Sequence, residues 1–114
     1  MAVSPMARTR RGRLKQVEAW LWLHYPPPLP TALLFGKRVD GDYGYCDLED
    51  GRLVVRIDNR LTWFNAIEWA IHEWSHAFVW GRERVEHNRV WSDAYGKIYQ
   101  HWHNRGGAEE SREL

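Results

Sequence analysis

The stretch His72-Glu73-Trp74-Ser75-His76 reads H-E-x-x-H. Residues four apart lie one turn apart on the same face of a helix, so both imidazoles can reach a single ion at about 2.0–2.1 Å. Glu73 sits about 100° around the axis from His72. That direction suits a carboxylate that hydrogen-bonds water on the ion better than one that ligates the ion. Zinc on such a pair lowers the pKa of its water towards roughly 7. Glu73 would take the water proton as a carbonyl is attacked and hand it to the leaving amine. The chemistry expected of these residues is hydrolysis of a peptide bond, with Glu73 as general base and one zinc ion as cofactor.

A catalytic zinc needs a third protein ligand and an open position. His87 follows His76 by eleven residues, past a break at Gly81. A chain that reverses there would bring it to the ion, and Asn88, which tolerates a left-handed backbone, would help the reversal. Glu83, Glu86 and Asp93 are the acidic alternatives. Asp93 could also support a ligand from behind or lie on the surface. The metzincin arrangement is excluded, because it needs Gly and His where this chain has Val79 and Arg82. Tyr95 or Tyr99 could donate to a developing oxyanion, although their spacing overlaps an apolar stripe and favours core packing. His24, His101 and His103 read as packed or solvent-facing side chains.

The elements that must carry these groups are legible from periodicity. Leu14, Val17, Leu21 and Trp22 predict a helix from Arg11, ended by Pro26-Pro27-Pro28. Strands are expected over Ala32–Val39, Tyr43–Leu48 and Arg52–Asp58. The first ends at an Asp40-Gly41-Asp42 turn, and Asp50-Gly51 is a hairpin signal between the other two. The alternation in Arg52–Asp58 reads as a half-buried strand at the sheet edge. Thr62 is the expected N-cap of the helix bearing the motif, which should run to about Trp80 and stop at Gly81. Trp91, Ala94, Tyr95, Ile98 and Trp102 predict a last helix. The fold class is therefore α+β: a helix, three strands and two helices.

At 114 residues a single domain is expected, over 11–104, between a basic flexible tail at 1–10 and a polar tail at 105–114. Eight tryptophans supply large buried area for so short a chain. One cysteine, Cys46, excludes both an internal disulfide and a four-cysteine zinc site, and fits a reducing compartment. The net charge of +1 argues against a protein that coats nucleic acid. No apolar run is long enough to span a bilayer and no apolar leader is visible. A soluble, cytoplasmic protein is the expectation.

The stretch from Tyr43 to Trp102 resembles the SprT-like (Spartan-related) zinc metallopeptidases. The resemblance rests on His72 to Ala77, on His87-Asn88-Arg89-Val90-Trp91 against the family's H-G-x-x-F/W, and on Gly44-Tyr45-Cys46 upstream. It implies zinc ligands at His72, His76 and His87, Glu73 as general base, and a minimal zincin-like fold with the metal helix beneath a small sheet. It also implies a protein or peptide substrate paired with an edge strand, for which Arg52–Asp58 is the expected candidate. Trp69 and Trp80 could line subsites. Asn88 stands where the family tends to have Gly, and the cysteine-rich DNA-binding appendix of many relatives is missing. DNA association would rest on the basic arm around Arg8, Arg10, Arg11, Arg13 and Lys15. A different class of reading is a zinc-bearing module that holds a peptide without cleaving it.

Overall fold

A computed structural model describes residues 10–37 and 42–105. The elements follow in the order α1 (Arg10–His24), β1 (Thr31–Gly36), β2 (Gly44–Glu49), β3 (Arg52–Asp58), α2 (Trp63–Phe78) and α3 (Arg89–Asn104). The class is α+β, three helices with a three-stranded mixed sheet. The tail residues 1–9 and 106–114, with Val39 and Asp40-Gly41 of the expected turn, lie outside the described residues.

The sheet order is β1-β3-β2, with β1 parallel and β2 antiparallel to β3. This corrects the edge assignment of Arg52–Asp58, which is the central strand. Its alternation suggested one wet face, yet Val54 is fully buried and Asp58 nearly so. Pairing on both sides shields what the pattern left open. Asp58 keeps its charge inside by a close pair with the Arg60 guanidinium, at 2.6 Å. The hairpin between β2 and β3 forms where the sequence signalled it. Glu49 faces Arg52 across Asp50 and Gly51, whose φ values of 52° and 80° are those of a tight primed turn.

Leu33, Leu53, Val55 and Ile57 project from one sheet face into a core shared with all three helices. From α1 come Leu14, Val17 and Leu21, and from α3 Ile98 and Trp102. α2 contributes Ala66, Ile67, Ala70, Ile71, Trp74 and Ala77, the stripe its 3.6-residue period demands. Trp74, inside the H-E-x-x-H run, faces the core with no exposure, and its indole N–H donates to the Tyr25 carbonyl at 2.9 Å. The Trp22 indole donates to the Thr31 carbonyl at 3.0 Å. These two bonds tie the proline-terminated end of α1 to β1 and α2, satisfying polar groups that burial would otherwise leave costly.

The two sheet edges differ. On β1 the Leu33 N–H is taken by the Glu18 carboxylate of α1, at 2.6 Å. On β2, the Asp58 N–H bonds the Tyr43 carbonyl at 2.9 Å. The antiparallel alternation then directs the main-chain groups of Gly44, Cys46 and Leu48 away from β3. The Leu48 N–H is claimed by Asp47 at 2.8 Å. Among the described residues, the main-chain groups that face outward on this edge are thus those of Gly44 and Cys46.

Candidate metal centre

α2 begins as expected, with Thr62 accepting the Asn65 N–H at 3.3 Å. It ends at Phe78, two residues before the expected Trp80, because Val79 already leaves the helical conformation and Gly81 follows at φ 87°. The helix packs its apolar stripe on the sheet, and His72 and His76 emerge together on the side turned towards α3.

The reversal that brings in His87 is not made by Asn88. His87 itself holds the left-handed conformation, at φ 59°, while Asn88 is extended and caps α3 by accepting the Trp91 N–H at 3.1 Å. Asn88 is an N-cap because its short carboxamide reaches that amide. The consequence is geometric. The His87 Nε2 lies 3.1 Å from the His76 Nε2 and 3.2 Å from the His72 Nε2.

Those separations test whether a metal fits. Ligand atoms held tetrahedrally at about 2.0–2.1 Å from one ion stand roughly 3.3 Å apart. The three imidazoles offer nitrogens that all lie within 4.8 Å of one another, and this group could hold a metal ion. Their donor set, three neutral nitrogens, suits zinc. His72 enters such a set as the free base. Burial, with the neighbouring His76 and His87 adding to it, lowers its pKa to about 4 against an opposing pull from Glu83.

The acidic alternatives separate by position. Glu86 approaches His87 only to 4.0 Å and its side chain is 78% exposed. Asp93 sits on the surface of α3, 3.9 Å from Arg89. Glu83 is close, but its Oε1 lies 2.7 Å from the His76 Nδ1 and its Oε2 accepts the His87 N–H at 2.5 Å. It stands behind two of the imidazoles and does not join them.

A cleft of about 500 Å³ opens over the imidazoles, walled by Gly44 and Cys46 of β2, by Trp69 and Trp80, and by Glu73. Glu73 is 6% exposed, on the cleft side of α2. Gly44 leaves it room: a Cβ there would stand 3.3 Å from the Glu73 Cγ and 3.1 Å from the Arg56 carbonyl oxygen. The Cys46 thiol is pushed up to about 12 by burial, with Glu73, Asp47 and Glu83 adding to it. It stays protonated near neutrality in the metal-free protein.

Sequence reasoning missed the reach of Trp91. Its ring lies 4.8 Å from that of His72, 4.5 Å from His87, and stacks on His76 at 5.2 Å and 23°. Apolar periodicity marked the residue as core and carried no sign of this triple contact. Tyr95 stacks on Trp91 in turn at 5.1 Å, and Tyr99 follows it. Of the remaining histidines, His101 meets the Tyr25 hydroxyl at 2.8 Å and rings with His24, and His103 meets Glu68 at 3.0 Å. These three stand apart from the cluster.

The depressed His72 pKa has a measurable consequence in metal-free protein. As pH falls below about 6.5 the unfolded chain binds a proton that folded His72 refuses until about pH 4. Its contribution to stability is complete above that window and lost within it. Denaturant midpoints measured from pH 7.5 to 4 should therefore fall more steeply in the wild type than in His72→Gln. Parallel profiles would show that His72 is not held neutral.

No family model, curated protein or solved structure matches this chain. Among the described residues no helix is long and apolar enough to cross a membrane.

Proposed function

We propose that this chain is a zinc-dependent peptidase that hydrolyses peptide bonds in extended polypeptide, with His72, His76 and His87 as ligands and Glu73 as general base. The observation that carries the reading is the convergence of three Nε2 atoms, 3.1 and 3.2 Å from His87 to its neighbours, beside a buried carboxylate in an open cleft. The resemblance of the H-E-x-x-H and His87–Trp91 segments to SprT-like peptidases agrees with it.

When bound, zinc supplies Lewis acidity, polarising a carbonyl and acidifying water. The protein supplies the rest. Glu73 faces the same cleft as the imidazoles, where its carboxylate accepts a proton from attacking water and returns it to the departing amine. Trp69 and Trp80 give apolar walls against which side chains of an extended segment can rest. The strand that receives the segment is β2 and not β3, since β3 is paired on both sides and the β1 edge is engaged by Glu18. Main-chain pairing at Gly44 to Cys46 would give affinity with little demand on sequence.

The purified protein should bind one equivalent of zinc and cut an unstructured substrate such as casein, with cleavage abolished by a chelator and restored by zinc. A protein that binds zinc and casein but never cuts would be a peptide-holding module. One that binds no zinc would refute the reading at its base.

A further inference from the structure

We infer that Glu83 is the positioning residue of the histidine cluster, one carboxylate that sets the tautomer of His76 and the backbone of His87 together. The inference rests on the reading of the three imidazoles as a metal site and concerns how that site is preformed.

Imidazole can present Nε2 to a metal only when its proton resides on Nδ1. For His76 the group facing Nδ1 is the Glu83 Oε1, 2.7 Å away. An ionised carboxylate is acceptor only, so it selects the Nδ1–H form and leaves the Nε2 lone pair directed at the cluster. The other oxygen of the same carboxylate acts on the backbone. His87 stands at φ 59°, a left-handed conformation that is unfavourable for an L-residue with a Cβ. Its N–H is received by the Glu83 Oε2 at 2.5 Å, and the next amide, of Asn88, by the Val85 carbonyl at 3.0 Å. That anchor adds to the Asn88 cap in holding the turn, where the His87 side chain is itself 44% exposed. The Glu83 side chain, by contrast, is only 11% exposed, and a carboxylate withdrawn from water needs such donors on both oxygens. Its Oε1 lies at the far nitrogen of the His76 ring, opposite the Nε2 that meets His87, and that placement distinguishes a group behind the ligands from a ligand.

The test compares wild type, Glu83→Ala and Glu83→Gln as full chains, with circular dichroism to verify folding. In metal-free protein at fixed pH, the ring nitrogen shifts of His76 should report the Nδ1–H tautomer in wild type and a mixture in Glu83→Ala. Zinc affinity, read by chelator competition, should fall about 10–100-fold in Glu83→Ala. Glu83→Gln keeps one acceptor oxygen for two donors and should lie between, with the His76 tautomer retained. The visible spectrum of the cobalt-substituted protein should keep its coordination number in both variants. An unchanged His76 tautomer in Glu83→Ala, or zinc affinity within twofold of wild type in both variants, overturns the inference. A lost cobalt ligand would make Glu83 a direct ligand and overturn it too. Should Glu83→Ala fail to fold, Glu83→Gln decides by its affinity. If wild type binds no zinc, the peptidase reading fails while the tautomer comparison still judges Glu83.

Discussion

Glu73→Gln should retain one equivalent of zinc and lose about 10²–10⁴-fold in turnover, the span ascribed to a positioned general base. The two side chains have nearly the same shape, which matters where the space is tight. Glu73 is 6% exposed and packs against the bare backbone of Gly44. A carboxamide fills that space, so the helix and its histidines stay where they are. What it cannot do is accept the water proton. Loss of turnover with metal retained thus isolates proton transfer from ligation. Zinc content by metal analysis and initial rates of casein cleavage check both halves. Turnover within tenfold of wild type would remove Glu73 from the role, and simultaneous loss of zinc would mean that it ligates.

Local signals in the sequence carried a good deal of this molecule. The i, i+4 spacing of His72 and His76 predicted a shared face because helical geometry leaves no choice. Thr62 and Asp50-Gly51 predicted a cap and a turn because each has a short-range partner. The apolar stripes of α1 and α2, with Ile98 and Trp102 of α3, point into the core where periodicity put them, whereas Trp91 turns to the imidazoles. The strand order was not legible. Alternation in Arg52–Asp58 reports which side chains are apolar, whereas central or edge position depends on whether β1, twenty-two residues earlier in register, lies alongside. The pairing is non-local and leaves no period in the strand itself. The turn at His87 was hidden for a related reason. Asn tolerates a left-handed backbone better than His, so intrinsic preference pointed to Asn88. The capping bond to Trp91 and the Glu83 carboxylate override that preference. Glu83 itself could be recognised only as an acidic residue between two histidines, which does not distinguish a ligand from a group behind one.

His87→Ala should weaken zinc binding by more than about 10²-fold, beyond the loss expected from a group acting behind the ligands. Its Nε2 is the atom that meets both others, at 3.1 Å and 3.2 Å, so removing it leaves two nitrogens on one helix and an ion with no third protein donor. The acidic residues nearby should not compensate. Asp93→Ala and Glu86→Ala should stay within about twofold of wild type, since an exposed carboxylate spends little of its time away from water. Of the three acidic alternatives Glu83 comes nearest the imidazoles, and the bonds that hold it against His76 and His87 would also keep it off an ion. Chelator competition on the four proteins should accordingly rank His87→Ala well below Glu83→Ala, and Glu83→Ala below the two exposed variants. Zinc affinity unchanged in His87→Ala would transfer the third position to an acid, and the αL turn at His87 would then need another reason to exist.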